Sequence, residues 1–127
     1  MKILIVDDDE AITTILKTAI EKEHYEIVVA KTGEEGLAKA KTDGIDLILL
    51  DQVLPDISGN EVLKQLKNDE KAKNIPIIIL SNFSQQELVK EAIDKGAVDY
   101  VFKYQVEPND VISKIKQVLE KNKEEQN

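Results

Sequence analysis

A chain of 127 residues is sized for one compact domain that buries most of the surface its unfolded form exposes. It has no cysteine and a single histidine, His24, which excludes disulfides, thiolate metal sites and multi-histidine zinc sites, so any bound metal must be held by oxygen. Twenty-five acidic against 17 basic side chains give a formal charge of -8, which disfavours attraction to DNA or to anionic lipid; no nucleic-acid or membrane partner is expected of this chain alone.

The chain opens with an apolar run at 3–6, too short for a signal-peptide core or a membrane span, and a cytoplasmic protein is expected. Four further apolar runs follow at 26–30, 47–50, 77–80 and 98–102, and all five read as strands buried on both faces. Between them apolar residues recur at helical spacing. Ile12, Ile15, Leu16, Ala19 and Ile20 form the first stripe, Leu37 and Ala40 the second, and Val62, Leu63 and Leu66 the third. Leu88, Ala92 and Ile93 mark a fourth helix, and Val111, Ile112, Ile115, Val118 and Leu119 a fifth. Punctuation agrees: Ser58-Gly59 opens the third helix, Ser84 with Glu87 makes a capping box, Gly96 ends the fourth helix, and Pro108 suits the first turn of the last. Strict alternation predicts right-handed crossovers and a parallel sheet with helices on both faces. Residues 1–120 form one domain and 121–127 a charged, frayed helix end, with no internal repeat or linker.

In an open parallel sheet the ligand crevice lies beyond the carboxyl ends of the strands, where strand order reverses. Strand one ends in Asp7-Asp8-Asp9-Glu10, strand three in Asp51, strand four in Ser81 and strand five in Lys103. Asp7, Asp8 and Asp51 gathered at one crevice repel each other unless protonated or neutralised, and a divalent cation is the economical solution. Mg2+ suits a set of carboxylates, a backbone carbonyl and a phosphate oxygen. One of Asp7 and Asp8 could instead cap the following helix, which leaves Asp51 on another strand unexplained. An anionic first loop also argues against a nucleotide or flavin site, because phosphate could arrive there only with a metal. Lys103 is placed to pair with a carboxylate and then with a phosphoryl oxygen, and Ser81 can donate its hydroxyl to the same group. Asp9, Glu10, Asp56 and His24 are expected at the surface.

Taken in order, the stretches 3–8 (ILIVDD), 46–51 (DLILLD) with Pro55 and Gly59 after it, 76–81 (PIIILS), and 96–97 (GA) followed by 99–103 (DYVFK) resemble a response-regulator receiver domain along nearly the whole chain. The resemblance implies a flavodoxin-like doubly wound five-stranded parallel sheet of order 2-1-3-4-5 with five helices. It implies Asp51 as phospho-acceptor, with Mg2+ held by Asp7, Asp8, Asp51 and the backbone carbonyl of Val53. Ser81 and Lys103 would bind the phosphoryl oxygens, and Tyr100 would be an aromatic switch that turns inward when Ser81 closes on the phosphate; otherwise Tyr100 is an ordinary half-buried strand aromatic. The expected partners are a sensor histidine kinase or phosphotransfer protein and an unnamed downstream protein, reached by a stand-alone domain that is a monomer or weak homodimer and turns over no separate substrate.

The chain departs from the family where Tyr104, rather than proline, follows Lys103, and the Lys103-Tyr104 peptide is expected to be trans, or if cis visibly strained, because a cis bond without proline costs about 2.5 to 4 kcal/mol. By the same resemblance, the two positions flanking the path of a hydrolytic water lie two residues after Asp51 and two after Ser81. Here they are Val53 and Phe83, neither able to hydrogen-bond a water, and Asn82 fills the position beside Ser81 that is usually a small residue, which should narrow the entry. Slow self-dephosphorylation is therefore expected. Two rival readings are an Mg2+-dependent phosphatase with Asp7 as nucleophile, from the Asp7-Asp8-Asp9 run, and a degenerate receiver that binds partners without phosphorylation. Ala11 stands where the phosphatase family has Thr or Val, and the set Asp7, Asp8, Asp51, Ser81 and Lys103 counts against degeneracy.

Overall fold

The computed structural model describes residues 1–42, 44–82, 86–103 and 107–126, with side chains as far as Lys123. Its elements run β1 (Lys2–Val6), α1 (Glu10–Glu21), β2 (Glu26–Ala30), α2 (Gly33–Thr42), β3 (Leu47–Asp51), α3 (Gly59–Lys67), β4 (Ile77–Ser81), α4 (Gln86–Asp94), β5 (Asp99–Phe102) and α5 (Pro108–Gln126). All pairings are parallel and the strand order is β2-β1-β3-β4-β5, as expected. Strand order reverses between β1 and β3, because the chain steps outward from β1 to β2 and then crosses to β1's other side.

Strand alternation sorts the core into two layers. Ile3 and Ile5, Leu47 and Leu49, Ile78 and Leu80, and Val101 face Ile12, Leu16 and Ile20 of α1 and Val111, Ile112, Ile115 and Leu119 of α5. Leu4 and Val6, Ile48 and Leu50, Ile77 and Ile79, and Tyr100 face α2, α3 and α4. Every residue of β3 and β4 is buried, and each such Leu or Ile contributes about 1.5 to 3 kcal/mol on removal from water.

Local signals set the helix ends. Ser58 caps α3 by accepting from the Glu61 N–H, Gly96 after α4 takes φ +110, and Pro108 starts α5 where no N–H is needed. His24 is exposed in the turn after α1, as expected. The Ser84 capping box lies outside the described residues.

Four expectations need correction. Ile15 and Ile93 do not belong to core stripes: they are 52% and 43% exposed, because the buried line of α1 runs Ile12, Leu16, Ile20 and α4 buries only Ala92 fully. Val98 precedes β5 and is exposed. β2 is not buried on both faces; it lies at the sheet edge, with Glu26 exposed and residues 27–29 half-buried. Asp9 is more than a surface charge, since it caps α1 by accepting from the Ala11 and Ile12 N–H groups, the role first considered for Asp7 or Asp8.

Candidate functional site

The sheet ladder runs one step past the strands at the carboxyl edge. The Asp7 N–H donates to the Ala30 carbonyl at 2.9 Å, Gln52 N–H to Leu80 at 3.0 Å, and Lys103 N–H to Ser81 at 2.8 Å. These bonds fix the backbone from which the side chains of Asp7, Gln52 and Lys103 leave the carboxyl edge. The start of α3 comes equally close: the Gly59 N–H donates to the Gln52 carbonyl at 2.9 Å, and a Cβ at position 59 would overlap the Asp51 carbonyl oxygen. Glycine is required there by space.

Asp7, Asp51 and Lys103 are 1%, 5% and 6% exposed, which is rare for ionic groups unless they pair. The Lys103 ammonium reaches both Asp7 oxygens, Oδ1 at 3.0 Å and Oδ2 at 2.8 Å, and Asp51 Oδ2 at 3.3 Å. Asp7 Oδ1 also accepts the Asp9 N–H at 2.9 Å, and Asp51 Oδ1 accepts the Val53 N–H at 3.4 Å. Burial, reinforced by the charge of Asp7 and opposed by Lys103, pushes the Asp51 carboxyl up to about 6. Burial alone would lower the Lys103 ammonium, but its bonds to Asp7 and the charges of Asp51 and Asp7 outweigh that and hold it above the usual lysine value.

Asp8 is exposed, yet one carboxylate oxygen each of Asp7, Asp8 and Asp51 lie within 4.8 Å of one another. Three ionised carboxylates against one ammonium leave two negative charges, which one divalent cation matches. An all-oxygen donor set, partly open to water, fits Mg2+ better than zinc or a soft metal.

A second group adjoins the first. Ser81 is 1% exposed and its hydroxyl donates to Gln52 Oε1 at 2.9 Å; the Tyr100 hydroxyl donates to the same oxygen at 2.7 Å. Tyr100 is buried, 8% exposed, with its ring edge-on to Phe102 at 5.5 Å, rather than half-buried. Sequence reasoning passed over Gln52. Its signal was present: continued alternation from Ile48 and Leu50 places residue 52 on the face where Ser81 and Tyr100 also fall. Asp56 was likewise underestimated, because its exposed carboxylate accepts from the Gly33 and Glu34 N–H groups and so caps α2. Val53 is 59% exposed and Asn82 is exposed beside Ser81. Phe83 and the Lys103-Tyr104 peptide lie outside the described residues.

A doubly wound parallel sheet with buried carboxylates, a lysine and a serine on neighbouring strand ends defines the receiver class of signalling domains. The family model for the response regulator receiver domain matches residues 3–116, and the chain belongs to that family. It is 37% identical over 121 residues to the alkaline phosphatase synthesis transcriptional regulatory protein PhoP of Bacillus subtilis, covering 95% of this chain and 49% of that protein. The transcriptional regulatory protein ResD of the same species is 35% identical over 118 residues, 93% of this chain and 48% of the relative. The chain thus spans about half the length of the curated relatives it matches. A crystal structure of a CheY-like response regulator receiver domain protein from Methanospirillum hungatei superposes with a TM-score of 0.90 at 35% identity, over 98% of this chain and 97% of that one. No helix among the described residues is long and apolar enough to cross a membrane.

Proposed function

We propose that this receiver domain accepts a phosphoryl group on Asp51 from a phospho-histidine of a sensor kinase or phosphotransfer protein, in an Mg2+-dependent reaction, and signals by changed protein contacts. The observation that carries this reading is the convergence of Asp51 with Asp7, Asp8 and Lys103 at one buried edge. Asp7, Asp8, Asp51 and the Val53 carbonyl would hold the cation, which when bound supplies positive charge to offset that of the transferring group.

The chain's own groups do the rest. An Asp51 carboxylate oxygen attacks phosphorus, the phosphorus–nitrogen bond breaks, and its electron pair leaves on the imidazole. The acceptor must be ionised, and burial works against that; Lys103, already 3.3 Å away, favours the anion. Lys103 then exchanges a carboxylate contact for a phosphoryl oxygen, and the Ser81 hydroxyl supplies a second donor. With Val53 exposed and apolar two residues on, no side chain at that position holds a hydrolytic water, which favours a slowly decaying phosphorylated state.

Intact-mass measurement with acetyl phosphate and Mg2+ tests the reading. One added phosphoryl is expected, absent with chelator and in Asp51→Asn. Labelling on Asp7, or turnover of a generic phosphate ester, would instead favour the phosphatase alternative; a wild type that takes up nothing while still binding partners would make it a degenerate receiver.

A further inference from the structure

Gln52 is 8% exposed, and both of its backbone groups are engaged, the N–H with Leu80 and the carbonyl with Gly59. Its backbone therefore has little freedom, and the side chain stretches beside the ends of β4 and β5. There Oε1 accepts hydrogen bonds from the Ser81 hydroxyl at 2.9 Å and from the Tyr100 hydroxyl at 2.7 Å. A carbonyl oxygen has two lone pairs, and these two donors fill them. A serine hydroxyl has a single proton to give. Ser81 cannot donate to Gln52 and to a phosphoryl oxygen on Asp51 at the same time.

We propose that Gln52 is a positioning residue whose Oε1 is the shared acceptor linking Ser81 to Tyr100, so that Ser81 serves the phosphoryl group only by giving up Gln52. The inference rests on the reading of Asp51 as phospho-acceptor for its consequence, but not for the shared bond itself. Before transfer, Gln52 holds the Ser81 proton away from Asp51 and slows capture. After transfer, Ser81 turns to the phosphoryl oxygen and Tyr100 has the acceptor to itself. The state of Asp51 thereby reaches Tyr100, two strands away, through one amide oxygen.

The test uses the full chain and Gln52→Met, which keeps a similar length and volume while removing the acceptor. Gln52→Asn, too short to reach both hydroxyls, serves as a second variant should the first fail to fold. The first readout is the Tyr100 ring and hydroxyl signals by NMR, assigned with Tyr100→Phe, before and after adding beryllofluoride with Mg2+ as a phosphoryl mimic. The second is the rate of phosphoryl uptake from acetyl phosphate. In both variants the Tyr100 signals of the unliganded protein should move, and their response to beryllofluoride should fall by half or more. Uptake should quicken about twofold to tenfold, the range set by one neutral hydrogen bond. That gain should vanish in a Ser81→Ala background, since a purely structural loss would persist there.

Unchanged Tyr100 signals in the unliganded variants would overturn the proposal, as would a rate change that survives Ser81→Ala. A wild type that neither takes up phosphoryl nor responds to beryllofluoride would sink the reading of Asp51 instead. In that event the unliganded Tyr100 signals still decide the role of Gln52.

Discussion

Asp7, Asp51 and Lys103 continue the strand alternation that sends Ile5, Leu49 and Val101 toward α1 and α5, whereas Gln52, Ser81 and Tyr100 continue the one that faces α2, α3 and α4. Both groups bury polar atoms at the same sheet edge, but one does so with charges and the other with neutral hydroxyls around an amide oxygen. The ionic group pays heavily in desolvation and leaves Asp51 with a raised affinity for protons. Its neutral neighbour carries no such penalty, so its hydrogen bonds can exchange at small energetic cost. Reactivity is thus concentrated on one side of the edge and adjustability on the other.

The largest effect is expected from removing the cation of the ionic group. Lys103→Met leaves Asp7 and Asp51 buried without their ammonium and should cost about 3 kcal/mol of unfolding free energy at neutral pH. Urea unfolding measures it, and the deficit should shrink on adding Mg2+ and as pH falls toward about 6, because without Lys103 the Asp51 carboxyl takes up its proton at a higher pH than in the wild type. Equal stability of the two proteins at pH 7 would mean that the buried charges are compensated elsewhere.

Asp51→Asn should act in the opposite direction. The folded state binds the Asp51 proton more tightly than the unfolded chain, whose value is near 3.8. Its stabilising contribution is therefore complete below that value and is lost as pH rises through about 6. A neutral Asn escapes the loss, so the variant should be about 2 to 3 kcal/mol more stable than wild type at pH 7, with the advantage disappearing near pH 4. A stability gain that does not vary between these pH values would contradict the assigned titration.

On the neutral side the effects should be smaller. Tyr100→Phe removes one donor but leaves Ser81 on Gln52 Oε1, and a loss of about 1 kcal/mol is expected by thermal or urea unfolding. A loss as large as that of Lys103→Met would erase the distinction between the two groups. Smallest of all is the effect at an ordinary surface pair, Glu91 of α4 with Lys95 in the turn after it at 2.8 Å, where Lys95→Ala should stay within about 0.5 kcal/mol.

The residue order by itself determined the five strands, the five helices and the placement of Asp7, Asp51, Ser81 and Lys103 at strand ends, because alternation, helical spacing and punctuation by Ser, Gly and Pro act within a few residues. It could not say that Ile15 and Ile93 would be exposed, since the width of a buried stripe depends on which neighbour the helix meets. Nor could it show that β2 would be an edge strand with half-open faces, except through the family resemblance that supplied the strand order. Asp56 caps a helix more than twenty residues upstream, and Gln52 meets hydroxyls 29 and 48 residues downstream. Those partnerships belong to the tertiary structure alone: parallel strands bring distant residues side by side only after their crossovers have packed, and the pairing of β3, β4 and β5 decides which side chain reaches which.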